Sequence, residues 1–417
     1  MNNNSRFPAL VYVCHEFPKA TETFVYREVK GLRDRGGNVR VFSMKRTKAP
    51  EQIEGLEELL SITRLFPPDF GWDFVKAQLK WIVRKPVKYI NELIRVIGAG
   101  KNRTGLGFSA RVGFFLRGVL LASMIEEEGS FRFMHAPGTG EELISVYVAF
   151  ALAGKPYGFT LHAPYALYID SPLLAQHARD ATWIASISRD AREKLVKLAG
   201  EEVRCKIGIV HCGVRAEDFK AVELKERAKK KILSVGSLIE FKGHDLLIRA
   251  AALLIGRGMD FSLEVAGDGP LRGRLETIIK ELGVSDKVKL LGGRHPEKIR
   301  VLLSESDAFA LASRVDSRGC RDGVPVALME AMITGLPCIS TWVSGIPELI
   351  EDDVSGILAE PEDVESLADA IERVLANLSL AQSLGSAARM KVLQHFSLSG
   401  QVQRLEKLII SKGSAVV

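Results

Sequence analysis

Two kinds of hydrophobic segment alternate along most of this chain. Short apolar runs, typical of buried strands, are each followed by a longer segment whose apolar residues recur every three or four positions, as in helices. The runs cover residues 9–13, 39–44, 131–136, 157–162 and 182–188 in the first half, and 231–235, 261–266, 288–293, 307–313 and 338–341 in the second. Strands that alternate with helices predict an α/β protein with doubly wound parallel sheets.

The chain is too long for one ordinary hydrophobic core. Its 417 residues are 47% apolar and 26% charged, a composition typical of globular proteins, so two domains are expected. Apolar periodicity is lost in the charged segment 216–230, which we interpret as a linker. The pattern therefore predicts a first domain over 1–215 and a second over 231–396. A terminal helical segment, 397–417, is expected to pack back on the first domain.

Residues 72–129 interrupt the alternation with a long helical pattern that is markedly basic. Aromatic residues are interleaved with the basic ones, and acidic residues are few before Glu126. The basic residues are Lys76, Lys80, Arg84, Lys85, Lys88, Arg95, Lys101, Arg103, Arg111 and Arg117. Two interpretations remain open. The region either associates with an anionic membrane surface or is a solvated basic face over an ordinary core.

The remaining compositional signals favour a cytoplasmic protein. Five cysteines, an odd number without a CxxC pair, argue against both a disulfide framework and a zinc site. The chain has no unbroken apolar run long enough for a membrane span, and its first residues lack the features of a signal peptide. The net charge of +6 is mild for this length and gives no indication of nucleic-acid binding.

The densest cluster of turn and cap signals begins at Asp322 and reads DGVPVALMEAMITGLPCISTWVSGIPE. It predicts a helix with Pro325 at its first position, a buried strand over 338–341, and a second helix that begins near Ser344. Helix N-termini beside the carboxyl ends of parallel strands suit an anion such as a diphosphate. Glu330 interrupts the apolar pattern of the first helix. It either binds ligand hydroxyl groups, or it pairs with a buried arginine or caps a neighbouring helix.

Polar residues also follow two predicted strands of the first half. His15, Glu22 and Thr23 lie in the loop and helix start after the first strand, and His162 ends the strand YGFTLH. Because the carboxyl ends of parallel strands face the ligand crevice, these residues are candidate ligand contacts. The alternative for Glu22 and Thr23 is that they only start the helix.

Four segments of the second half resemble, in this order, the retaining glycosyltransferases of family four. They are VGSLIEFKGHDLLIRA, VAGDGPL, DGVPVALMEAMITGLPCIST and SGIPELI. The opening CHEFPKATETFVYREV and the segment YGFTLHA are also similar, particularly to bacterial enzymes of exopolysaccharide and colanic acid assembly. The resemblance is strong over 232–360 and weaker over 45–130. It implies the GT-B fold, in which two Rossmann-like domains face each other across a cleft.

The resemblance implies a nucleotide-sugar site in the second domain and an acceptor site in the first. Lys242 matches the diphosphate-binding lysine, and His162 matches the histidine beneath the reacting sugar. Asp322 and Glu330 match the paired acidic residues that hold donor-sugar and ribose hydroxyls. These four are the implied catalytic residues, and no metal and no cofactor other than the donor is implied. The other implied donor contacts are Gly236, Ser237, Gly267, Gly323, Val324, Pro325 and Val326, and the acceptor-side candidates are His15, Glu22, Thr23 and His135.

Four positions depart from the family pattern. Ser237 stands where the family has an arginine, Tyr165 where an aspartate is frequent, and Pro137 where a second histidine is common. Asp322 replaces the usual glutamate, which bears on which sugar fits. The missing arginine removes a positive charge at the leaving group unless another arginine supplies it. The candidates are Arg314, Arg318 and Arg321.

These implications predict a retaining glycosyltransferase that moves a sugar from a nucleotide sugar to a glycan or lipid-linked acceptor in cell-surface polysaccharide biosynthesis. Retention would follow a front-face route without a protein nucleophile. A nucleotide-sugar 2-epimerase, or a binding or scaffold protein with weakened catalysis, are the alternatives. A glycosidase or a dehydrogenase is disfavoured, because the chain shows no suitable pair of carboxylates and no full GxGxxG loop after its first strand.

Overall fold

The computed structural model describes residues 7–19, 23–46, 55–67, 71–98, 107–162 and 172–413. The chain divides into two compact units, Met1–Val210 with Gln401–Val417, and His211–Gly400. Each unit has its own hydrophobic core around a parallel sheet. The predicted α/β class, with two doubly wound parallel sheets, is confirmed.

The first unit contains a seven-stranded parallel sheet within the described residues. Its strands are β1 (Leu10–Phe17), β2 (Val39–Arg46), β3 (Thr63–Leu65), β4 (Phe133–Ala136), β5 (Tyr157–Leu161), β6 (Trp183–Ser186) and β7 (Ile207–Ile209). Their spatial order is β3-β2-β1-β4-β5-β6-β7, so the order reverses between β1 and β4. Open parallel sheets bind their ligands beside such a reversal, at the carboxyl ends of the strands.

Eight helices of the described part of this unit cover the sheet. They are α1 (Thr23–Asp34), α2 (Leu56–Ser61), α3 (Trp72–Arg84), α4 (Pro86–Gly98), α5 (Phe108–Glu128), α6 (Glu141–Ala153), α7 (Pro172–Asp180) and α8 (Arg189–Ala199). The start of α8 shows how the sequence specifies a boundary. The Ser188 hydroxyl accepts a hydrogen bond from the backbone N–H of Ala191 at 3.1 Å, as expected for a serine N-cap.

The described residues of the region over 72–129 that was predicted to be helical form α3, α4 and α5. Lys101 and Arg103 lie outside the described residues. Within the described residues, α5 is the one helix that is long and apolar enough to cross a membrane by length and composition alone. However, 61% of its apolar window is buried inside the first unit, and the core helix of a soluble protein gives the same weak signal. α5 therefore serves this unit as a core helix.

The second unit contains a six-stranded parallel sheet within the described residues. Its strands are β8 (Lys230–Val235), β9 (Phe261–Ala266), β10 (Val288–Gly292), β11 (Ala308–Ala310), β12 (Cys338–Thr341) and β13 (Ile357–Ala359). Its helices are α9 (His244–Gly256), α10 (Arg272–Glu281), α11 (Pro296–Ser304), α12 (Val326–Thr334), α13 (Ile346–Leu349), α14 (Val364–Ala376) and α15 (Leu378–His395). The strand order β10-β9-β8-β11-β12-β13 reverses between β8 and β11.

The segment 216–230, which the sequence suggested as a linker, lies within the second unit. It begins with a 3-10 turn over Ala216–Asp218. Phe219 and Leu224 are buried in the core of this unit. Two apolar side chains therefore anchor a stretch whose many charges suggested a solvated connection.

The last helix, α16 (Leu398–Gly413), carries the chain back to the first unit. Gly31 of α1 lies so close to it that an added Cβ would stand 2.8 Å from a methyl carbon of Val402. Nearby, Arg35 forms an ion pair with Glu406 at 2.6 Å. Apolar contact and charge together fix α16 on α1.

Candidate functional site

The order of the second sheet places the carboxyl ends of β8 and β11 side by side. The chain leaves β8 through Gly236 and Ser237, and a 3-10 turn over Glu240–Lys242 then precedes α9. This turn packs against the segment that follows β11. The backbone N–H of Arg314 in that segment donates a hydrogen bond to the carbonyl of Phe241 at 2.9 Å. Lys242 is thereby held at the reversal of the strand order.

Gly243 permits this close approach. Its φ of 62° lies in the left-handed region, and a Cβ at this position would stand 1.8 Å from the carbonyl oxygen of Ala312. Any larger residue would push the turn away from the end of β11. The Lys-Gly pair is therefore set by backbone packing, and Lys242 is more than an exposed turn residue.

Lys242 forms an ion pair with Asp322, although 80 positions separate the two in sequence. The distance from Lys242 Nζ to Asp322 Oδ1 is 2.6 Å, and the side chains are 15% and 10% exposed. The other carboxylate oxygen of Asp322 accepts a hydrogen bond from the hydroxyl of buried Ser313, also at 2.6 Å. Both oxygens of Asp322 therefore have a donor, and the carboxylate is held in one orientation.

Ser313 was not identified by the sequence reasoning. It ends the segment DAFALAS, and its carbonyl accepts a hydrogen bond from the hydroxyl of Thr341 at the end of β12. Residues at the ends of two neighbouring strands thus hold Asp322 in place, Ser313 directly and Thr341 through Ser313. A small hydroxyl residue directly after a buried apolar strand was the available signal.

The N-terminus of α12 follows Asp322 within a few residues. Pro325 caps this helix in an extended conformation, so the predicted first position of the helix falls one residue later, at Val326. Proline at the cap has no N–H to lose, and the N–H groups of the first turn remain available for an anion. The carbonyl of Gly323 accepts a hydrogen bond from Gly345 at 3.1 Å, which joins this loop to the start of α13.

Glu330 lies in the middle of α12 and is half-buried between buried Met329 and Ala331. Glu330 therefore lies on an otherwise apolar helix, as the sequence predicted. The second predicted helix, α13, is a single turn over Ile346–Leu349. It adds little to the dipole that α12 directs at this edge.

Gly236 and Gly267 bring β8 and β9 together at their ends. The N–H of Gly236 donates to the carbonyl of Ala266 at 3.0 Å. A Cβ at Gly267 would stand 1.8 Å from the carbonyl oxygen of Gly236. The two implied donor-binding glycines are therefore required for strand packing, and Ser237 beside them is exposed.

His244 is a second residue that the sequence analysis did not single out. It is the first residue of α9, and its side chain is buried against Gly236 and Ser237. Burial, and to a lesser extent the positive charge of Lys242, lower the pKa of His244 to about 4. At neutral pH His244 is a neutral support for the loop that carries Lys242.

Of the three arginines considered as substitutes at Ser237, two have structural partners. Arg314 pairs with Asp245 at 3.1 Å and donates to the carbonyl of Glu240 at 3.0 Å, so it holds the turn before α9. Arg318 is exposed and lies 3.3 Å from Asp316.

Arg321 differs from both of these arginines. It directly precedes Asp322, and it forms no ion pair with any described residue. Its Nε is buried and has no hydrogen-bond partner in the described part of the chain. A guanidinium nitrogen in this state retains an unused donor, one residue before Asp322 in the chain.

His162 belongs to the first unit, where it follows β5. Its ring packs on Phe24 with a centroid distance of 4.4 Å. Burial lowers the pKa of His162 to about 4, while a hydrogen bond with the backbone of Pro137 acts in the opposite direction. His162 is therefore neutral at physiological pH. Pro137 replaces a family histidine but still supports this ring through its backbone.

The other acceptor-side candidates occupy different environments. His135 is fully buried, and its ring nitrogens lie 3.0 Å from the hydroxyl of Thr160 and 3.3 Å from the indole nitrogen of Trp183. The fold accounts for His135 without a ligand. The prediction that His15 lies in the loop after the first strand is wrong, because β1 extends to Phe17 and includes it. His15 and Thr23, which begins α1, are half-buried. Glu22 and Tyr165 lie outside the described residues.

A metal site was not expected from the sequence. Among the described residues, no group of three or more histidine, cysteine, aspartate or glutamate side chains is placed to hold a metal ion. At this edge the described structure places the ammonium of Lys242 and the N-terminus of α12.

The second half of the chain is similar to a known protein family. Residues 215–391 match the protein family described as glycosyl transferases group 1. We refer to this matched segment as the group 1 domain. The group 1 domain contains all of the candidate donor residues, from Gly236 to Glu330. The predicted resemblance to this class of enzyme is confirmed.

Two curated relatives of this chain are named as biosynthesis glycosyltransferases. The amylovoran biosynthesis glycosyltransferase AmsK of Erwinia amylovora is 37% identical over 206 residues, which are 49% of this chain and 50% of AmsK. The putative colanic acid biosynthesis glycosyltransferase WcaL of Escherichia coli K12 is 38% identical over 166 residues, which are 40% of this chain and 41% of WcaL. The chain thus matches about half the length, or less, of these relatives.

Solved structures extend the similarity beyond the group 1 domain. The crystal structure of Anabaena Alr3699/HepE in complex with UDP and glucose has a TM-score of 0.70, covering 97% of this chain and 100% of HepE. At 17% identity this likeness shows the fold alone. It confirms the GT-B fold that the sequence resemblance implied.

Proposed function

We propose that this protein is a retaining glycosyltransferase that transfers a sugar from a nucleotide sugar to a glycan or lipid-linked acceptor in cell-surface polysaccharide biosynthesis. The observation that carries the proposal is the Lys242–Asp322 pair, 2.6 Å apart at the strand-order reversal of a group 1 domain. The names of AmsK and WcaL support the pathway class, and the complex of HepE with UDP and glucose supports a nucleotide-sugar donor.

The proposed reaction places negative charge where this edge is positive. When the bond between the sugar C1 and the phosphate oxygen breaks, the nucleoside diphosphate gains negative charge. Lys242 has three N–H donors, so it can contact a phosphate oxygen while it remains bonded to Asp322. Fixed donors aimed at developing charge commonly contribute more to such catalysis than any other single effect. No metal or cofactor enters the proposed step.

Asp322 and Glu330 are proposed to hold the donor through its hydroxyl groups. Asp322 already accepts hydrogen bonds from Lys242 and Ser313, and each carboxylate oxygen can accept a further one from a sugar hydroxyl. Glu330 is proposed to accept the ribose hydroxyls. These contacts orient the sugar C1 for attack from the side that the phosphate leaves.

Retention is proposed to follow the front-face route. The acceptor oxygen forms the new bond to C1 on the face from which the phosphate oxygen departs, and that phosphate oxygen takes the acceptor proton. The bond to phosphate breaks with its electron pair, so no protein nucleophile is needed. His162, neutral beside the proposed acceptor region of the first unit, is suited to hydrogen bonding and not to charge stabilisation.

Arg321 is proposed to supply the cation that the family places at Ser237. It adjoins Asp322 and carries a buried, unused Nε donor, whereas Arg314 and Arg318 are bonded to carboxylates. A second cation matters because each charge-assisted bond to a phosphate oxygen contributes about 1.5–3 kcal/mol. With Arg321 in this role, the enzyme can be fully active although Ser237 replaces the arginine of the family.

The protein is proposed to act in the cytoplasm, as a peripheral protein at the inner face of the membrane. The five cysteines all lie in the described part of the chain, and none forms a disulfide, which fits a reducing compartment. A lipid-linked acceptor would require access to the membrane surface.

The test is ligand-observed binding of UDP-, GDP- and ADP-sugars to the wild type and to Glu330→Gln, followed by assay of each hit for nucleoside diphosphate release. Glu281→Gln, at an exposed position of the same unit, is the matched control. We expect saturable binding of one donor that Glu330→Gln weakens and Glu281→Gln does not. Binding without release would favour the scaffold alternative, and an epimer of the free nucleotide sugar would favour the epimerase. If no nucleotide sugar binds the folded protein, the donor-site assignment is wrong.

A further inference from the structure

Helix α3 has two apolar faces. Phe74, Ala77 and Trp81 are buried against the first unit. A second apolar set points to solvent, and its members are Trp72, Val75, Leu79, Ile82 and Val83. With 3.6 residues per turn, the two sets fall on nearly opposite sides of the helix. The outward set is large, since Trp72 is 66% exposed and Val83 is 79% exposed.

Helix α4 repeats this arrangement. Tyr89, Glu92 and Val96 face the unit. The opposite side presents Val87, Ile90 and Ile94, of which Val87 is 70% exposed and Ile94 is 63% exposed. We call the eight outward apolar residues of α3 and α4 the apolar face. A surface helix of a soluble protein normally directs polar side chains outward, and contiguous exposed apolar patches mark interaction sites.

Basic residues border the apolar face. Lys76 and Lys88 are exposed, and within the described part of the chain neither forms an ion pair. The ammonium of Lys76 lies 5.9 Å from the ring centre of Trp72. Lys80 and Arg84 are bonded to Glu126 at 2.8 and 2.9 Å, so their charges are largely used within the unit. Lys76 and Lys88 are the cations best placed to meet an anionic partner.

We propose that the apolar face docks on an anionic lipid bilayer. Trp72, Val83 and Val87 would enter the boundary between head groups and acyl chains, with Lys76 and Lys88 at lipid phosphates. Apolar residues flanked by lysine are the arrangement by which interfacial helices bind such surfaces. The proposal rests on the proposed membrane location and is independent of the donor-site chemistry.

The structure narrows the sequence-based hypothesis for 72–129 and favours lipid over a second copy. The apolar residues of α5 from Phe114 to Ile125 are mostly buried in the core, and the docking surface that we propose lies on α3 and α4. In a two-fold dimer the same patch faces itself, which would bring the basic borders of the two copies together. A bilayer of anionic lipid presents the complementary charge.

The experiment is cosedimentation of the full chain with vesicles of phosphatidylcholine, with and without phosphatidylglycerol, in the absence of any nucleotide. We expect binding to the anionic vesicles that added salt weakens. The double substitution Val83→Ser and Val87→Ser should lower the partition coefficient by about tenfold or more, because two apolar side chains that would be buried in the bilayer become polar. Lys76→Gln with Lys88→Gln should weaken binding to anionic vesicles only.

The matched control is Val301→Ser with Val354→Ser, two exposed valines of the second unit that should leave vesicle binding unchanged. Thermal unfolding of each variant establishes that it is folded. The proposal is overturned if the wild type does not sediment with anionic vesicles, or if Val83→Ser with Val87→Ser binds them as the wild type does. A lipid-free dimer that this double variant abolishes would assign the face to a second copy. Nucleoside diphosphate release in vesicle-free solution reports on the donor site separately.

Discussion

At the reversal of the second sheet, Lys242 and Asp322 form an ion pair whose carboxylate is also bonded to Ser313. At the corresponding edge of the first sheet, the polar groups His135 and His162 are histidines that burial keeps neutral. The ion pair at one edge is therefore charged, whereas the two histidines at the other edge are neutral hydrogen-bonding groups.

The two units have similar folds, but a charged ion pair and neutral histidines suit different tasks, namely stabilising a leaving anion and orienting a hydroxyl group. A cation compensated by a neighbouring carboxylate can redirect one of its donors to a phosphate without first being desolvated. A neutral imidazole cannot stabilise a leaving anion in this way, but it can orient a hydroxyl group. The proposed function accordingly gives charge stabilisation to the second unit and acceptor recognition to the first.

The largest effect that tests this division is expected from Lys242→Met. It removes the cation but retains most of the apolar stem, and turnover should fall by about 10²–10³-fold, as when one preorganised donor to developing charge is removed. Nucleoside diphosphate release at saturating donor measures it, with the exposed Lys298→Met as the control. A folded Lys242→Met variant that releases product at the wild-type rate would place the charge-stabilising group elsewhere.

Asp322→Asn should separate sugar recognition from phosphate binding. Turnover is expected to fall by about 10–100-fold, because a charged acceptor for sugar hydroxyls is lost. The affinity for the free nucleoside diphosphate should be unchanged or tighter, because the Lys242 ammonium is no longer neutralised. Calorimetric titration of the diphosphate and of the donor provides both numbers. Equal weakening of both ligands would mean that Asp322 only supports the loop.

Arg321→Gln is expected to lower turnover by about tenfold, the equivalent of one charge-assisted hydrogen bond. Two matched substitutions decide whether this arginine is special. Arg318→Gln should have no effect, because its side chain is 68% exposed. Arg314→Gln should lower the melting temperature, because it leaves Asp245 without its partner. If all three variants keep wild-type turnover, no arginine replaces the one missing at Ser237.

Much of the fold could be predicted from the sequence because parallel strands buried on both faces read as unbroken apolar runs. β8, β11 and β12 were expected within a few residues of their observed bounds for this reason. The three-residue edge strand Thr63–Leu65 was missed, since Thr-Arg-Leu has neither an apolar run nor sufficient length. Short edge strands are specified by their neighbours more than by their own residues.

The candidate site could be predicted only in part. Motif spacing singled out Lys242, Asp322 and Glu330, but no local pattern indicates that a lysine will bond an aspartate 80 positions away. That contact depends on strand order and on the space that Gly243 leaves at Ala312. The burial of His135 was likewise invisible, because its hydrogen-bond partners lie on neighbouring strands.

Stability in acid should also differ between the two units. In the first unit, burial lowers the pKa of His135 and His177 to about 3 and that of His162 to about 4. In the second unit, burial lowers the pKa of His244 to about 4. Between pH 6.5 and 4 the unfolded chain binds protons that the folded chain does not, so stability falls as the pH falls. Each histidine contributes about 1 kcal/mol per pH unit. Hydrogen exchange should show the first unit opening before the second.

Glu28 sharpens this test because its contribution has the opposite sign. It accepts a hydrogen bond from Tyr12 at 2.6 Å, and burial raises its pKa to about 7, so the folded first unit retains this proton between pH 7 and 4.5. Its stabilising contribution is complete below pH 4.5 and is lost as the pH rises through 7. Glu28→Gln should therefore stabilise the first unit at pH 8 by about 1–3 kcal/mol and make its loss of stability on acidification steeper. If Glu28→Gln leaves the exchange rates of the first unit unchanged at pH 8, the Tyr12–Glu28 pair is already solvated. If the second unit opens first in acid, the buried histidines do not determine which unit opens first.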